Sequence, residues 1–181
     1  KGIKDKRCSV CYNKEAAGKA SIRTETLERF NDYIPIALEN IRPTKPVYLD
    51  IRYSNVCNLK CRTCWHGASS SWFEEAKVLK NNFGDKAILK ATTDNAKLIE
   101  DIVNYSDDLE EVYFAGGEPL LMEEHYDFLD LLIQQQSFNT RIRYNTNLSQ
   151  LQLKDRGVIA YWKQLKNIHL SISIDATTDR V

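Results

Sequence analysis

Three cysteines within eight residues, Cys57-Asn58-Leu59-Lys60-Cys61-Arg62-Thr63-Cys64, constrain this chain more than any other feature. A C-x3-C-x2-C run puts three thiols on one short loop. The segment before it, Val47 to Tyr53, alternates Val47, Leu49 and Ile51 with Tyr48, Asp50 and Arg52, the period of a strand. The loop therefore opens at a strand end. The chain's other two cysteines, Cys8 and Cys11, form a second close pair. A secreted disulfide framework spreads an even number of cysteines through a chain, so five clustered ones point to metal and a reducing cytoplasm.

Beyond the loop, helical and strand-like segments alternate. Ser69 to Asn82 has helical spacing through Trp72, Phe73, Ala76 and Leu79, and Asn95 to Tyr105 through Leu98, Ile99, Ile102 and Val103. Then come a strand over Glu111 to Ala115, a helix over Glu123 to Gln136 and a strand over Thr140 to Asn145. A helix over Lys154 to Leu165 and a strand over Ile168 to Ile174 follow. The order β-α-α-β-α-β-α-β implies parallel strands joined by helical crossovers, four βα units in all, about half of an eight-fold barrel. Residues 1–46 read as a polar N-terminal extension, with a helix over Ser21 to Arg29 capped by Thr24, and Pro43 and Pro46 marking its boundary with a core domain over 47–181. Both ends, Lys1 and Val181, read as cut from a longer protein.

Charge narrows the partners. The 25 basic and 25 acidic residues cancel, giving no field to gather nucleic acid or an anionic membrane. No apolar run approaches the ~20 residues that span a bilayer, and Lys1 to Arg7 lacks the apolar core of a secretory signal.

Thiolates are soft ligands that suit zinc or iron–sulfur clusters. Three of them on a cubane leave one iron open to bind a small molecule; a zinc site needs a fourth ligand, for which His66 is the nearest candidate. A second motif follows one βα unit later: Gly116-Gly117-Glu118-Pro119, at the end of the strand from Glu111. Its glycines permit close backbone approach, Pro119 pins the turn, and Glu118 is its only charged group.

In the Cys57-Asn58-Leu59-x-Cys61-x2-Cys64 wording, and in Gly-Gly-Glu-Pro placed after it, the chain resembles the radical SAM superfamily over about residues 47 to 175. The resemblance implies a partial (β/α)6 barrel. It implies a [4Fe-4S] cluster held by Cys57, Cys61 and Cys64, whose open iron chelates S-adenosylmethionine (SAM). One electron then splits SAM, and a 5′-deoxyadenosyl radical abstracts hydrogen from a substrate. It also implies cofactor contacts from Gly116, Gly117, Glu118 and Pro119, with Asn145, Ser173 and Asp175 at later strand ends, near Asn147. An electron donor such as flavodoxin or ferredoxin is the implied partner. The substrate, whether peptide, nucleotide or small molecule, carries no mark in the sequence. One departure stands out: the family usually has an aromatic residue just before the third cysteine, and here Thr63 holds that position, with Trp65 just after it.

The stretch Cys8-x2-Cys11-Tyr12-x2-Glu15-x2-Gly18-x2-Ser21-x-Arg23 is similar to a leader found with twitch (truncated SPASM) domains. There Cys8 and Cys11 would help hold a second, auxiliary iron–sulfur cluster; read from the residues alone they are equally a disulfide or half a zinc site. Two rivals to the whole reading remain: a glycyl-radical-enzyme activase, whose cysteine loop usually lies nearer the start of the chain, and a non-catalytic zinc-binding module. Arg141 and Arg143 share a strand face and could reach an acidic substrate or form salt bridges, and Tyr48, Asp50 and Arg52 share another that could point toward substrate. His125 and His169 read as structural.

Overall fold

The computed structural model describes residues 5–39, 46–82, 84–104 and 109–174. Two compact units emerge, Lys1–Thr44 and Lys45–Val181.

In the first unit, α1 (Ser9–Ala16), α2 (Ile22–Arg29) and α3 (Ile34–Glu39) replace what reads in sequence as a polar leader with one helix. Gly18 ends the α1 region with φ +69°, a left-handed turn that glycine adopts without strain. Ser21, not Thr24, is the N-cap of α2. Ser21 Oγ accepts from Thr24 N (3.2 Å) and Thr24 Oγ1 accepts from Ser21 N (2.9 Å), a reciprocal capping box.

The second unit is built on four parallel strands: β1 (Tyr48–Ile51), β2 (Glu111–Phe114), β3 (Arg141–Thr146) and β6 (Ile168–Ile172), in that spatial order. Register pairs Ile51 with Phe114, Phe114 with Tyr144 and Tyr144 with Leu170. The connections run through α4 (Phe73–Val78) and α5 (Asn95–Val103), then α6 (Glu123–Gln134), then α7 (Val158–Trp162). This is the expected βα alternation, with β1 and β6 at the edges of the sheet among the described residues.

Two expected helices are shorter. The one from Ser69 is a 3-10 turn over Ser70–Trp72 and then α4, which stops at Val78 just before Lys80 takes φ +54°. Lys154 to Leu165 begins instead with a hairpin, β4 (Gln152–Leu153) against β5 (Arg156–Gly157), whose turn has Lys154 at φ +54°; only α7 is helical. Tyr105 and Pro43 lie outside the described residues.

The core sits on one face of the sheet. Val112 and Phe114 of β2 and Ile142 and Tyr144 of β3 alternate onto that face and meet Tyr126, Phe128, Leu129 and Leu132 of α6, all fully buried. Phe114 is central, stacked on Tyr144 (5.4 Å) and edge-on to Phe128 and His125. His125 is structural, as expected. It is buried among these rings with Nε2 2.9 Å from the Tyr144 hydroxyl, and burial pulls its pKa down to about 3. Among the described residues no helix is long and apolar enough to cross a membrane.

Candidate active site

The strands end on a common side, where open parallel α/β sheets place their ligands. There β1 does not stop at Ile51 so much as continue as a guide. Past it, Gly117 N donates to Ser54 O (3.0 Å) and Glu118 N to Val56 O (2.6 Å), so the glycine motif runs alongside residues 54–56 and ends beside Cys57. Both glycines are required by this approach. A Cβ on Gly117 would lie 2.1 Å from Val56 O, and one on Gly116, already at φ +110°, would lie 3.1 Å from Ser54 O.

Backbone and polar side chains hold the cysteine loop. Asn55, buried, donates to His66 O (2.7 Å) and Ala87 O (3.0 Å) and accepts from Leu89 N (2.8 Å). The hydroxyls of Ser69 and Ser71 donate to Leu59 O and Cys57 O (2.7 Å each), and Trp72 Nε1 to Cys61 O (3.2 Å). The carbonyls of Cys57, Leu59 and Cys61 are thereby taken up, while Cys57, Cys61 and Cys64 form no disulfide and are half-buried.

A second brace comes from the end of β3. Asn147 Nδ2 donates to Cys57 Sγ (3.8 Å) and to Asn58 Oδ1 (3.1 Å), and Asn58 Nδ2 donates to Ser149 Oγ (2.8 Å). Glu118, 1% exposed, ties the strand ends together: Oε1 accepts from Thr146 Oγ1 (2.6 Å) and Leu120 N (3.1 Å), and Oε2 from Asn147 N (2.7 Å). Three of a carboxylate's roughly four acceptor positions are thus filled by protein donors. Pro119 is buried and starts a short 3-10 turn. Sequence marks Thr146 only as part of the strand-end run Asn145-Thr146-Asn147, and Asn55 and Ser149 only as polar residues adjoining predicted strand ends.

Beside Gly116 lies a cavity of about 330 Å³ lined also by Arg52, Ser54, Trp65, Gly67 and Lys90, among others. Trp65 is 53% exposed and lies so close over Gly67 that a Cβ there would meet the indole at 2.4 Å. The chain therefore offers an aromatic surface after the third cysteine rather than before it.

The other expected residues are more scattered. Asn145 is exposed, in register with Ser171. Ser173 is exposed, its N–H bonded to Thr146 O (2.9 Å). Asp175 lies outside the described residues. His66 is buried against Phe73, and its Nε2 bonds Ala87 O (3.0 Å), so that nitrogen is not presented to the thiols. Among the described residues no three His, Cys, Asp or Glu side chains converge as placed to hold one ion. By donor chemistry the three thiols on this braced loop still fit an iron–sulfur cluster with one open iron.

In the N-terminal unit Cys8 directly precedes α1 and Cys11 lies in its first turn, both as free thiols. The surrounding stretch forms one local network: Arg23 lies over the Tyr12 ring (5.3 Å) and pairs with Glu15, which also accepts from Ser21 Oγ (2.6 Å).

The family model of the radical SAM superfamily matches residues 51–181, well over half of the chain. No curated protein matches it.

Proposed function

The chain belongs to the radical SAM superfamily, and we propose that Cys57, Cys61 and Cys64 hold a [4Fe-4S] cluster beside a SAM site formed by the glycine motif. When bound, this pair supplies the chemistry: an electron from the cluster cleaves SAM, and the radical so released takes a hydrogen atom from substrate.

The chain's own part is positioning. The observation that carries the reading is the backbone pairing of Gly117 and Glu118 with Ser54 and Val56, which brings two sequence-distant motifs side by side. Gly116 and Gly117 leave the motif without side chains where the cofactor would lie. Glu118 and Pro119 shape the turn, and the remaining acceptor position on Glu118 suits the SAM ammonium group. Trp65, on the wall of the cavity, gives a flat aromatic surface for adenine in place of Thr63. Asn147 donates toward Cys57 Sγ and so helps to orient that side chain. Asn145 and Ser173 offer amide and hydroxyl groups for the ribose or carboxylate, with Asp175 as a further contact. The four parallel strands in sequential order form part of a (β/α)6 barrel. Cys8 and Cys11, one helical turn apart, contribute to an auxiliary cluster of the twitch type. A cytoplasmic flavodoxin or ferredoxin supplies the electron.

Anaerobic reconstitution followed by iron and sulfide analysis and EPR of the reduced protein, with and without SAM, tests this. A cubane signal that changes on adding SAM is expected. Stoichiometric zinc with no paramagnetic signal would sink the reading.

A further inference from the structure

Opposite the aromatic core, the second face of the sheet is polar in every strand. Register sets Asp50, Tyr113, Arg143 and His169 side by side in one row, with Tyr48, Glu111 and Arg141 in the row below. Apart from Glu111, these side chains are half-buried or exposed.

The ion pairs on this face do not balance. Arg52 pairs with Asp50 through two nitrogens, Nε to Oδ1 (3.0 Å) and Nη2 to Oδ2 (3.2 Å). Glu111, its side chain 2% exposed, serves two partners: Oε2 accepts from Arg141 Nη1 (3.2 Å) and Oε1 from Arg143 Nη1 (3.1 Å). Among the described residues, three guanidinium groups therefore pair with two carboxylates on this face, leaving one positive charge in surplus. Arg143 spends one nitrogen on Glu111, and its guanidinium lies over the Tyr113 ring (5.4 Å), which fixes its plane. Among the described residues, Nε and Nη2 of Arg143 have no partner, although these are the two donors that form a fork for a planar oxyanion.

We propose that this face binds the carboxylate of a small-molecule substrate, with Arg143 as its anchor. The surplus of one charge matches a carboxylate monoanion; a phosphate dianion would leave a charge unmet. The position suits a substrate. Arg143 lies four residues below Asn147, about 13 Å at the rise of a strand, and Asn147 touches Cys57. A molecule anchored at Arg143 extends along the sheet toward the cysteine loop. That this ligand is a substrate rests on the radical SAM reading; that a carboxylate binds here does not.

The test follows the arginine Nε–Hε NMR signals of the full chain without its cluster, during titration with sodium acetate against sodium chloride at equal ionic strength. The Arg143 signal is the one lost in Arg143→Lys. Saturable acetate shifts at Arg143 are expected, and Glu111→Gln, which doubles the surplus charge, should tighten acetate binding by about threefold or more. A merely structural ion pair predicts no such gain. Equal shifts with chloride, tighter binding of inorganic phosphate than of acetate, or no gain in Glu111→Gln would overturn the proposal. EPR of reconstituted Arg143→Lys separates the two claims. A SAM response without acetate binding in the wild-type chain removes the carboxylate site alone; acetate binding without any SAM response keeps that site and removes the radical SAM reading.

Discussion

The two cysteine sites of this chain are built on opposite plans. Cys8 and Cys11 sit at the start of an eight-residue helix, and the network beside them, Tyr12, Glu15, Ser21 and Arg23, closes within a dozen residues. The Cys57 loop has no regular structure of its own. Its shape comes from Gly117, Leu89, Asn147 and Ser149, brought in from elsewhere in the chain. A locally made site can form whenever its helices form; a site made from distant strand ends exists only when the whole sheet does. The second plan costs more to assemble, and it also gives a geometry that single local fluctuations do not undo.

Loss of metal should separate the sites most sharply. Cys57→Ala, Cys61→Ala or Cys64→Ala should each abolish the SAM-responsive EPR signal, whereas Cys8→Ala with Cys11→Ala should keep it and lower only the total iron. Loss of the SAM response from the Cys8/Cys11 double variant would erase the distinction.

Next comes the backbone contact. Gly117→Ala forces a Cβ onto the Val56 carbonyl, so it should cost about 3 kcal/mol, the upper end of the usual overpacking range, read as a lowered urea midpoint. Chain fluorescence from Trp65 and Trp72 should follow the loss, while helix formation in a peptide spanning residues 5–39 bears on the local site alone.

Acid should weaken the sheet-borne site. His125 stays neutral in the fold, with a pKa of about 3, against an ordinary value of 6.5. Below pH 6.5 the unfolded chain therefore binds a proton that the folded chain refuses. Its contribution to stability is whole above 6.5 and falls by about 1.4 kcal/mol per pH unit down toward 3. Comparing urea midpoints of the wild-type chain and His125→Gln at pH 7 and pH 5 isolates this slope, which should vanish in the variant.

Smaller effects complete the ranking. Asn147→Ala removes the donor to Cys57 and Asn58 and should cost about 1 kcal/mol, with faster loss of iron to a chelator. Arg23→Ala breaks a partly exposed pair with Glu15 and should have the smallest effect of the set. Circular dichroism should show it loosening the N-terminal helices without changing chelator kinetics at the Cys57 loop.

How far the sequence reveals each site follows the same division. The four strands were legible because each is a short alternating run, and the helix from Glu123 because Phe128, Leu129, Leu132 and Ile133 form an apolar stripe. The hairpin of β4 and β5 was not. Two-residue strands are too short to show alternation, and Val158, Tyr161 and Leu165 just after it keep helical spacing. The helix from Ser69 was overextended because Leu79 continues the pattern past the left-handed Lys80. In the site, the cysteines and glycines were visible as motifs, since their spacing is local. Asn55, Thr146 and Ser149 were not, because these partners lie 11 to 91 residues away and no short-range pattern announces them. Glu118 was read as an open ligand, yet most of its capacity is spent joining β2 to β3.

The contact between Asn58 and Ser149 sets a schedule as well as a geometry. A ribosome delivers this chain from its N-terminus, so Cys57, Cys61 and Cys64 emerge long before the residues that brace them. Until β3 and the turn after it have left the tunnel, the three thiols hang on an unsupported segment, exposed to oxidation and to any competing ion. Loading the loop correctly therefore waits until Ser149, 91 residues after Asn58, has been made.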